Sequence, residues 1–331
     1  MLNCKKIAST TDENNVLDRL DGAYLQYSEM MDDKRKFLNS LLLRSRPKKV
    51  LELGISSGAS SVLIANALKD FGGKLYSVDV LKNYYVEPEK PCGFLVNEYP
   101  ELKEITVQYL GGMAHDFIDK IGDGIDFAFI DTRHTLPGEV LDFLIIYPYL
   151  KQDAYVVFHD TSLNLSAGVS ALAGETSYAT LLCCSGITGE KLQPVIDFTK
   201  HPACDIPHPN TTGIKLTKET GERLFEVFIL LACTWAYNFP DEQSASIASH
   251  LSRIYPDEAV SFFRRVNEFQ NLRFSRRYLE VQQLAKLPTE GASFYELQSR
   301  IAELAAQMNY YQNSFSWRIT KPIRAIKRLI S

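Results

Sequence analysis

Residues 49–60 read Lys-Val-Leu-Glu-Leu-Gly-Ile-Ser-Ser-Gly-Ala-Ser, a short apolar run that ends in a loop with two glycines. The run is typical of a buried strand, and the small residues after it are typical of a tight turn into a helix. Glycines let a ligand approach the backbone, and the helix offers free N–H groups to an anion. Ser56 excludes the dinucleotide motif G-x-G-x-x-G, and a tight turn without a ligand is the alternative interpretation.

Segments of the same kind follow at regular intervals. Four further strands are predicted at Lys74–Val80, Glu104–Tyr109, Ile125–Ile130 and Ala154–His159. Helices are predicted between the strands at Gly58–Asp70, Met113–Ile121 and Pro137–Leu150. This alternation predicts an α/β fold with a doubly wound, mostly parallel sheet.

Polar groups follow several of the predicted strands at the point where each strand ends. The groups are the loop Gly54–Gly58 and the acids Asp79, Asp131 and Asp160. Ligands of doubly wound sheets bind beyond the carboxyl ends of the strands. The sequence therefore predicts one binding site along this edge, with Asp79 placed to accept hydrogen bonds from a ribose.

The composition narrows the class of protein. The chain has 331 residues, of which 45% are hydrophobic and 23% charged, and this excludes a wholly disordered chain. Its 36 basic and 40 acidic residues give a net charge of −4, which argues against a general nucleic-acid binder. Six cysteines without a C-x-x-C pair, and an N-terminus without an apolar signal segment, favour a cytoplasmic protein with reduced thiols.

Three segments together resemble the class I S-adenosylmethionine-dependent methyltransferases: VLELGISSGASS (residues 50–61), KLYSVDV (residues 74–80) and the run from Ile125 to Thr161. The similarity is to catechol-type O-methyltransferases and bacterial methyltransferases of glycan and natural-product clusters. It covers residues 45–161 and implies a seven-stranded Rossmann-like sheet with a reversed final hairpin. S-adenosylmethionine would be the cofactor and methyl donor.

The resemblance also implies the residues that bind the cofactor. The loop after the first strand would line the site with Glu52, Gly54, Ser56 and Gly58. Ser60 would contact the methionine carboxylate, Asp79 the ribose hydroxyls, and Met113 would lie near the adenine. Gly111-Gly112-Met113-Ala114 stands where relatives often have Gly-Asp-Ser-Ala, so the usual acid on the adenine side is missing.

Two further motifs point to chemistry at the methyl group. Relatives that depend on a metal have Asp-x-x-Lys where this chain has Asp131-Thr132-Arg133-His134, so Asp131 and His134 are the candidate catalytic residues. Imidazole titrates near neutral pH, which suits His134 as the base. Asp131, with Asp160 and His159, would hold a divalent, magnesium-like cation. Alternatively, these acids only cap strands, or contact the amine of the cofactor.

The rest of the chain is predicted to be mainly helical. Four regions are expected: a helical lead-in (residues 1–46), the cofactor-binding domain (47–218), a helical extension (219–290) and a tail (291–331). Residues 162–210 would form the acceptor wall. In the tail, residues 294–311 carry a heptad pattern that predicts a homo-oligomer. Residues 317–331 are basic and amphipathic, which predicts peripheral contact with the inner, anionic face of a membrane, or else with protein.

These features together predict an enzyme that methylates a hydroxyl, with a sugar of a bacterial surface glycan or its precursor as the acceptor. The glycan assignment rests on the likeness of the tail to those of proteins that assemble surface polysaccharides. Two alternatives are a small-molecule O-methyltransferase with an aromatic or natural-product acceptor, and a non-catalytic assembly protein with the same fold.

Overall fold

A computed structural model of the chain describes residues 4–20, 22–162, 179–195 and 210–285. The heptad segment (294–311), the basic amphipathic tail (317–331) and most of the predicted acceptor wall lie outside the described residues.

One sheet organises the described part of the chain. Its strands are β1 (Lys5–Ile7), β2 (Lys49–Leu53), β3 (Lys74–Asp79), β4 (Thr106–Leu110), β5 (Ile125–Ile130), β6 (Leu150–His159), β7 (Glu190–Pro194) and β8 (Thr211–Lys215). The helices are α1 (Thr11–Leu17), α2 (Gly22–Tyr27), α3 (Asp32–Ser45), α4 (Ala59–Lys69), α5 (Pro100–Lys103), α6 (Ala114–Ile121), α7 (Gly138–Ile146), α8 (Ala179–Gly186), α9 (Lys218–Glu222), α10 (Leu224–Leu230), α11 (Asp241–Ile254) and α12 (Asp257–Ala285). Short 3-10 helices occur at Phe94–Glu98 and Tyr147–Tyr149.

The strand order is β1-β7-β8-β6-β5-β2-β3-β4. Strand β8 runs antiparallel to both of its neighbours, β6 and β7, while the other pairs in the sheet are parallel. Strands β2 to β8 thus form the seven-stranded, doubly wound sheet with a reversed final hairpin, and the predicted fold class is confirmed. Because β2, β3 and β5 are neighbours, the loops that follow them meet at one edge.

The eighth strand, β1, lies inside the helical lead-in that was predicted for residues 1–46, and corrects that prediction for its first residues. Lys5, Lys6 and Ile7 pair in parallel with Leu192, Gln193 and Pro194 at the edge of the sheet. Of these three N-terminal residues, Ile7 is buried and the two lysines are exposed. A three-residue edge strand with one apolar residue carries no periodic signal, and its partner lies far along the chain.

Strand β7 corrects a second expectation, because it lies inside the predicted acceptor wall (residues 162–210). Its sequence, Glu-Lys-Leu-Gln-Pro, is short and mostly polar, so nothing in it distinguishes a strand from a loop. In the structure Leu192 is buried in the core on the side of α3. Part of this region therefore completes the sheet.

The core consists of two hydrophobic clusters, one on each face of the sheet. The first packs α3 and α4 against the sheet and contains Phe37, Leu63 and Phe129, all fully buried. The second packs α6 and α7 together with the helical extension and contains Phe143 and Trp235. Among the helices of the described residues, none combines the length and the apolar character that crossing a bilayer requires.

The loop between α10 and α11 is fixed to the domain by a buried tryptophan. The indole Nε1 of Trp235 donates to the carbonyl of Leu231 (2.7 Å), and its ring stacks on Phe263 at 6.4 Å between centroids. The backbone N–H of Ala236 donates to the carbonyl of Leu136, which lies just after β5 (2.8 Å). The helical extension is thereby joined to the edge of the sheet where the predicted site lies.

Candidate active site

A cleft of about 640 Å³ opens at the carboxyl ends of β2, β3, β4 and β5. Its walls come mainly from the loops after these strands, from residues 237–240 and Gln243 of the helical extension, and from Glu29 of the N-terminal lead-in. The predicted site residues that line the cleft are Gly54, Ser56, Ser60, Asp79, Met113, Asp131 and His134. The predicted residues outside its lining are Glu52, Gly58, His159 and Asp160.

Asp79 accepts the hydrogen bonds that hold the loops on one side of the cleft. Its Oδ2 accepts hydrogen bonds from the backbone N–H groups of Ile55 (2.8 Å) and Ser56 (3.2 Å). Its Oδ1 accepts from the N–H of Leu81 (2.8 Å). These bonds fix both the loop after β2 and the carboxylate, and a carboxylate has lone pairs left for a ligand.

Gly54 is required by the close approach of two strand ends. Its φ is +90°, and a Cβ at this position would overlap the carbonyl oxygen of Asp131. The N–H of Asp131 donates to the carbonyl of Leu53 (2.8 Å) at the same place. The glycine therefore allows the loop after β2 to pack directly against the first residue after β5.

Glu52 does not line the cleft, contrary to the prediction. Its side chain is fully buried and accepts hydrogen bonds from the hydroxyls of Ser61 and Ser77 (2.6 Å). Burial raises the pKa of Glu52 to about 7, against the lowering effect of these serine hydroxyls. Glu52 thus links β2 to α4 and β3 behind the loop that follows β2.

Gly58 also lies behind the wall of the cleft. It has a φ of +95°, and a Cβ on it would lie 2.9 Å from the Cα of Gly93. The loop that precedes α4 is consequently packed against the segment that follows β3. Gly58 therefore shapes the loop, while the residues that face the cleft are Gly54, Ser56 and Ser60.

Two histidines and two acids form a cluster at the ends of β5 and β6. His134 Nε2 lies 3.5 Å from Asp131 Oδ1 and 3.2 Å from Asp160 Oδ2. His159 Nδ1 lies 3.3 Å from Asp131 Oδ1 and from Asp160 Oδ1. Asp131, His134 and Asp160 each offer one ligand atom within 4.8 Å of the others. The structure therefore groups the predicted base, His134, with the predicted metal ligands Asp131, Asp160 and His159, and both imidazoles lie beside both acids.

The charges of this cluster stabilise protonated histidines. Burial alone would lower the pKa of His134, but the hydrogen bond to Glu139 and the carboxylates of Asp131 and Asp160 raise it to about 9. Burial likewise opposes the charged form of His159, and Asp131 and Asp160 raise its pKa to about 10. The pKa of Asp160 is held well below its usual value, because the two histidines outweigh the effect of burial.

Residues 51–161 match the model of a family described as a methyltransferase domain. The chain carries a methyltransferase domain. This match, together with the sheet and its reversed final hairpin, agrees with the class I, S-adenosylmethionine-dependent type that the sequence resembles.

One curated relative is the rhamnosyl O-methyltransferase of Mycobacterium leprae, 24% identical over 126 residues, which are 38% of this chain and 53% of that protein. The chain thus spans about half the length of this relative. Solved structures similar to this chain include the O-methyltransferase TomG of Streptomyces achromogenes in complex with SAM, at 16% identity and a TM-score of 0.39; the match covers 65% of this chain and 92% of TomG. Another is the O-methyltransferase of Bacillus cereus in complex with SAH, at 14% identity and a TM-score of 0.38; that match covers 63% of this chain and 92% of the other.

Backbone conformation is unusual at three residues of the methyltransferase domain that surround the site. Ser56, His134 and Asp160 have φ values of 53°, 55° and 56°, in the left-handed region that residues other than glycine rarely adopt. Such conformations persist only where surrounding contacts hold them, and they concentrate at functional sites. Each of these residues adjoins the cleft or the histidine cluster.

Several residues of the site were not predicted from the sequence. Glu139, fully buried on α7, accepts from the N–H of His134 and lies 3.3 Å from its Nδ1. Asp142 lines the cleft, and burial raises its pKa to about 7, although Thr132 donates to it (2.8 Å). Both acids lie on the helix after β5. An acid in a largely apolar helix is a signal of a buried functional group, but a helix that is apolar on all sides gives no pattern that shows which way the acid faces.

Proposed function

We propose that this chain is an S-adenosylmethionine-dependent O-methyltransferase whose acceptor is a hydroxyl of a sugar. The observation that carries the proposal is that Asp79, fixed by the loop after β2, lines the same cleft as Asp131 and His134. A nucleoside held at Asp79 and a reactive group near Asp131 would fit along this one edge of the sheet. The sugar acceptor is supported by the rhamnosyl O-methyltransferase that the domain resembles.

The methionine end of the cofactor would contact Gly54, Ser56 and Ser60, and Asp79 would accept hydrogen bonds from the ribose. When bound, the cofactor supplies a methyl group on a positively charged sulfur. The residues of this chain then have to orient the acceptor oxygen in line with that methyl group and exclude water. This alignment would account for a large part of the expected rate, because the positive charge of the sulfur passes to the imidazole as the methyl group and the hydroxyl proton move, and no new charge is created.

His134 would take the proton from the acceptor hydroxyl. Its Nδ1 faces Glu139, and its Nε2 faces Asp131 and Asp160, so that the imidazole is held in one orientation. Neighbouring carboxylates favour its protonated form. A positive charge bound in the cleft would favour the neutral form, which is the form a base requires.

A divalent cation is a second possibility at the same atoms. Asp131, His134 and Asp160 would hold it, and it would lower the pKa of a bound hydroxyl. His134 would present its Nε2 to the cation and could not also use that nitrogen as the base. Metal binding and the base function of His134 are therefore exclusive, and activity in the presence of a chelator separates them.

An assay with radiolabelled S-adenosylmethionine tests the proposal. Nucleotide sugars and lipid-linked glycans that contain deoxyhexoses are offered together with small aromatic alcohols. Label on a sugar hydroxyl is the expected result. Label on the aromatic alcohols alone would contradict the sugar assignment. No transfer to either class, from a protein that binds the donor, would contradict the enzymatic proposal and favour an assembly protein.

The tail is a separate part of the proposal and is supported by the sequence alone. Residues 317–331 would contact an anionic bilayer, and residues 294–311 would form the contact between copies of the chain. Truncation after Gln312 should abolish sedimentation with anionic vesicles and leave cofactor binding intact. Equal sedimentation of both proteins would assign this segment to protein contacts.

A further inference from the structure

The adenine end of the cleft lacks the acid that similar methyltransferases often carry, because residue 112 is glycine. A Cβ at Gly112 would lie 2.7 Å from Phe117 and 2.8 Å from Asp116 Oδ2. Both neighbours are held in place. Phe117 stacks on Tyr109 at 5.2 Å, and Asp116 accepts from the N–H of Met113 (2.8 Å). Local packing therefore opposes a side chain at this position.

The position of the adenine follows from Asp79, so the inference rests on the proposed function. The N–H of Gly111 donates to the carbonyl of Asp79 (2.8 Å), which places the loop after β4 directly beside the ribose acid. Gly112 and Met113 line the cleft there. A base attached to a ribose at Asp79 would lie next to these two residues.

A side chain of the helical extension reaches this place. Gln243 lies in the first turn of α11, lines the cleft, and its Nε2 is 2.8 Å from the sulfur of Met113. Thioether sulfur is a weak acceptor, so this contact is readily exchanged for a better one. Among the described residues, none donates a hydrogen bond to Gln243 Oε1.

The carboxamide of Gln243 carries one donor group and one acceptor. The Watson–Crick edge of adenine presents the complementary pair, since its 6-amino group donates and its N1 accepts. Tyr237 of the extension lies elsewhere along the cleft, since it faces Arg133 and Gly138, near the histidine cluster. Gln243 is thus at the adenine end and Tyr237 at the acceptor end.

Helix α11 is held by contacts with two neighbouring helices just after this residue. Ser244 donates to Asn267 on α12 (3.2 Å), and Ser246 lies 3.1 Å from His115 Nε2 on α6. Ile247 is fully buried. Because the helix is already ordered, Gln243 would bind a ligand without the cost of ordering its backbone.

We propose that Gln243 recognises the amino edge of adenine by hydrogen bonds, in place of the acid that is absent at residue 112. The cofactor site of this chain would then be completed by the helical extension, which lies outside the matched methyltransferase domain. The helical extension would act in specificity for the nucleobase and not only as a support for the fold.

Calorimetry with two ligands tests this inference. The ligands are S-adenosylhomocysteine and its analogue in which hydrogen replaces the 6-amino group. The proteins are the wild type, Gln243→Ala, Gln243→Met and the control Glu242→Ala, which alters an exposed neighbour on the same helix. Circular dichroism verifies folding, and Gln243→Met keeps the volume of the side chain if the alanine variant is unstable.

We expect each Gln243 variant to bind S-adenosylhomocysteine roughly tenfold more weakly than the wild type. The wild type should lose a similar factor with the analogue, and the variants should bind both ligands equally. The role of Gln243 would be overturned if the change from S-adenosylhomocysteine to the analogue weakened binding by the same factor in the wild type and in the variants. It would also be overturned if the variants bound S-adenosylhomocysteine as tightly as the wild type does. Absence of binding by the wild type would instead overturn the proposed function.

Discussion

The guanidinium carbon of Arg133 lies 4.1 Å from the centroid of the Tyr237 ring, and this contact joins the loop after β5 to the helical extension. Both residues line the cleft, beside His134. A cation over an aromatic face is attracted by the ring, and the contact limits the freedom of the long arginine side chain. The extension therefore positions a positive charge at the end of the cleft that contains His134.

Replacement of Tyr237 tests this arrangement. Tyr237→Leu removes the aromatic face, and we expect kcat/KM for the acceptor to fall roughly fivefold, because such contacts are worth about 1 kcal/mol. Affinity for S-adenosylhomocysteine should not change. Tyr237→Phe keeps the ring and serves as the matched control, with activity close to that of the wild type. Equal losses in both variants would show that the hydroxyl, and not the ring, matters.

Gly54 should be among the least replaceable residues of the cofactor loop. Gly54→Ala combines a positive φ with overlap at the carbonyl of Asp131, so we expect a loss of roughly 3 kcal/mol or more in the free energy of unfolding. Gly72 is the matched control, since it also has a positive φ (+68°), but a Cβ added to it would have no atom within 4 Å. Gly72→Ala should cost only about 1 kcal/mol. Urea denaturation measures both, and similar losses would argue against the close packing.

The raised pKa of Glu52 predicts a specific dependence of the free energy of unfolding on pH. Its pKa is raised from 4.5 to about 7 in the folded protein, so between these values the folded state binds a proton that the unfolded state has released. Stability from this group therefore falls as the pH rises from about 4.5 to 7, and stays low above that range.

Glu52→Gln keeps an oxygen that can accept from Ser61 and Ser77, and it removes the titration. We expect the variant to gain stability over the wild type as the pH rises, by roughly 3 kcal/mol at about pH 8. Thermal unfolding at several pH values measures this difference, with the exposed Glu98→Gln as the control for the substitution itself. A difference that does not vary with pH would contradict a protonated, buried Glu52.

His134→Ala separates chemistry from cofactor binding. If His134 is the base, the substitution should lower kcat by roughly 100-fold, while the affinity for S-adenosylhomocysteine stays close to that of the wild type. Steady-state kinetics and calorimetry on the same preparation provide both values. Unchanged turnover would refute the role. Loss of turnover by the wild type in a chelator, with recovery on addition of magnesium, would favour the metal alternative.

The features that the sequence predicted well are those encoded locally. Strands such as Ile125–Ile130 are continuous apolar runs, and the acid after each run marks the carboxyl end, so the position of Asp79 and Asp131 at one edge followed from the pattern. The pattern did not predict which way the side chain of Glu52 faces. In a strand that is buried on both faces, alternation does not tell whether a polar side chain faces a ligand or the core.

Other features depend on contacts between residues far apart in the sequence. Met113 and Gln243 are separated by 130 positions, and the pattern around Gln243 indicates only an ordinary helix. Strands β1 and β7 are short, partly polar and paired with each other across most of the chain. The members Asp131, His134, His159 and Asp160 of the cluster were predicted, but its geometry was not, since only the folded backbone brings both imidazoles beside both acids.

The most direct measurement of the central claim is equilibrium binding of S-adenosylhomocysteine to the wild type, Asp79→Ala and Asp79→Asn. Asp123→Ala, at an exposed acid on the opposite edge of the sheet, is the matched control. We expect the wild type and the control to bind alike, and Asp79→Ala to bind roughly 100-fold more weakly, because two hydrogen bonds to a charged group are lost. Asp79→Asn should fall between them. Failure of the wild type to bind, or binding by Asp79→Ala as tight as that of the wild type, would contradict the cofactor site described above.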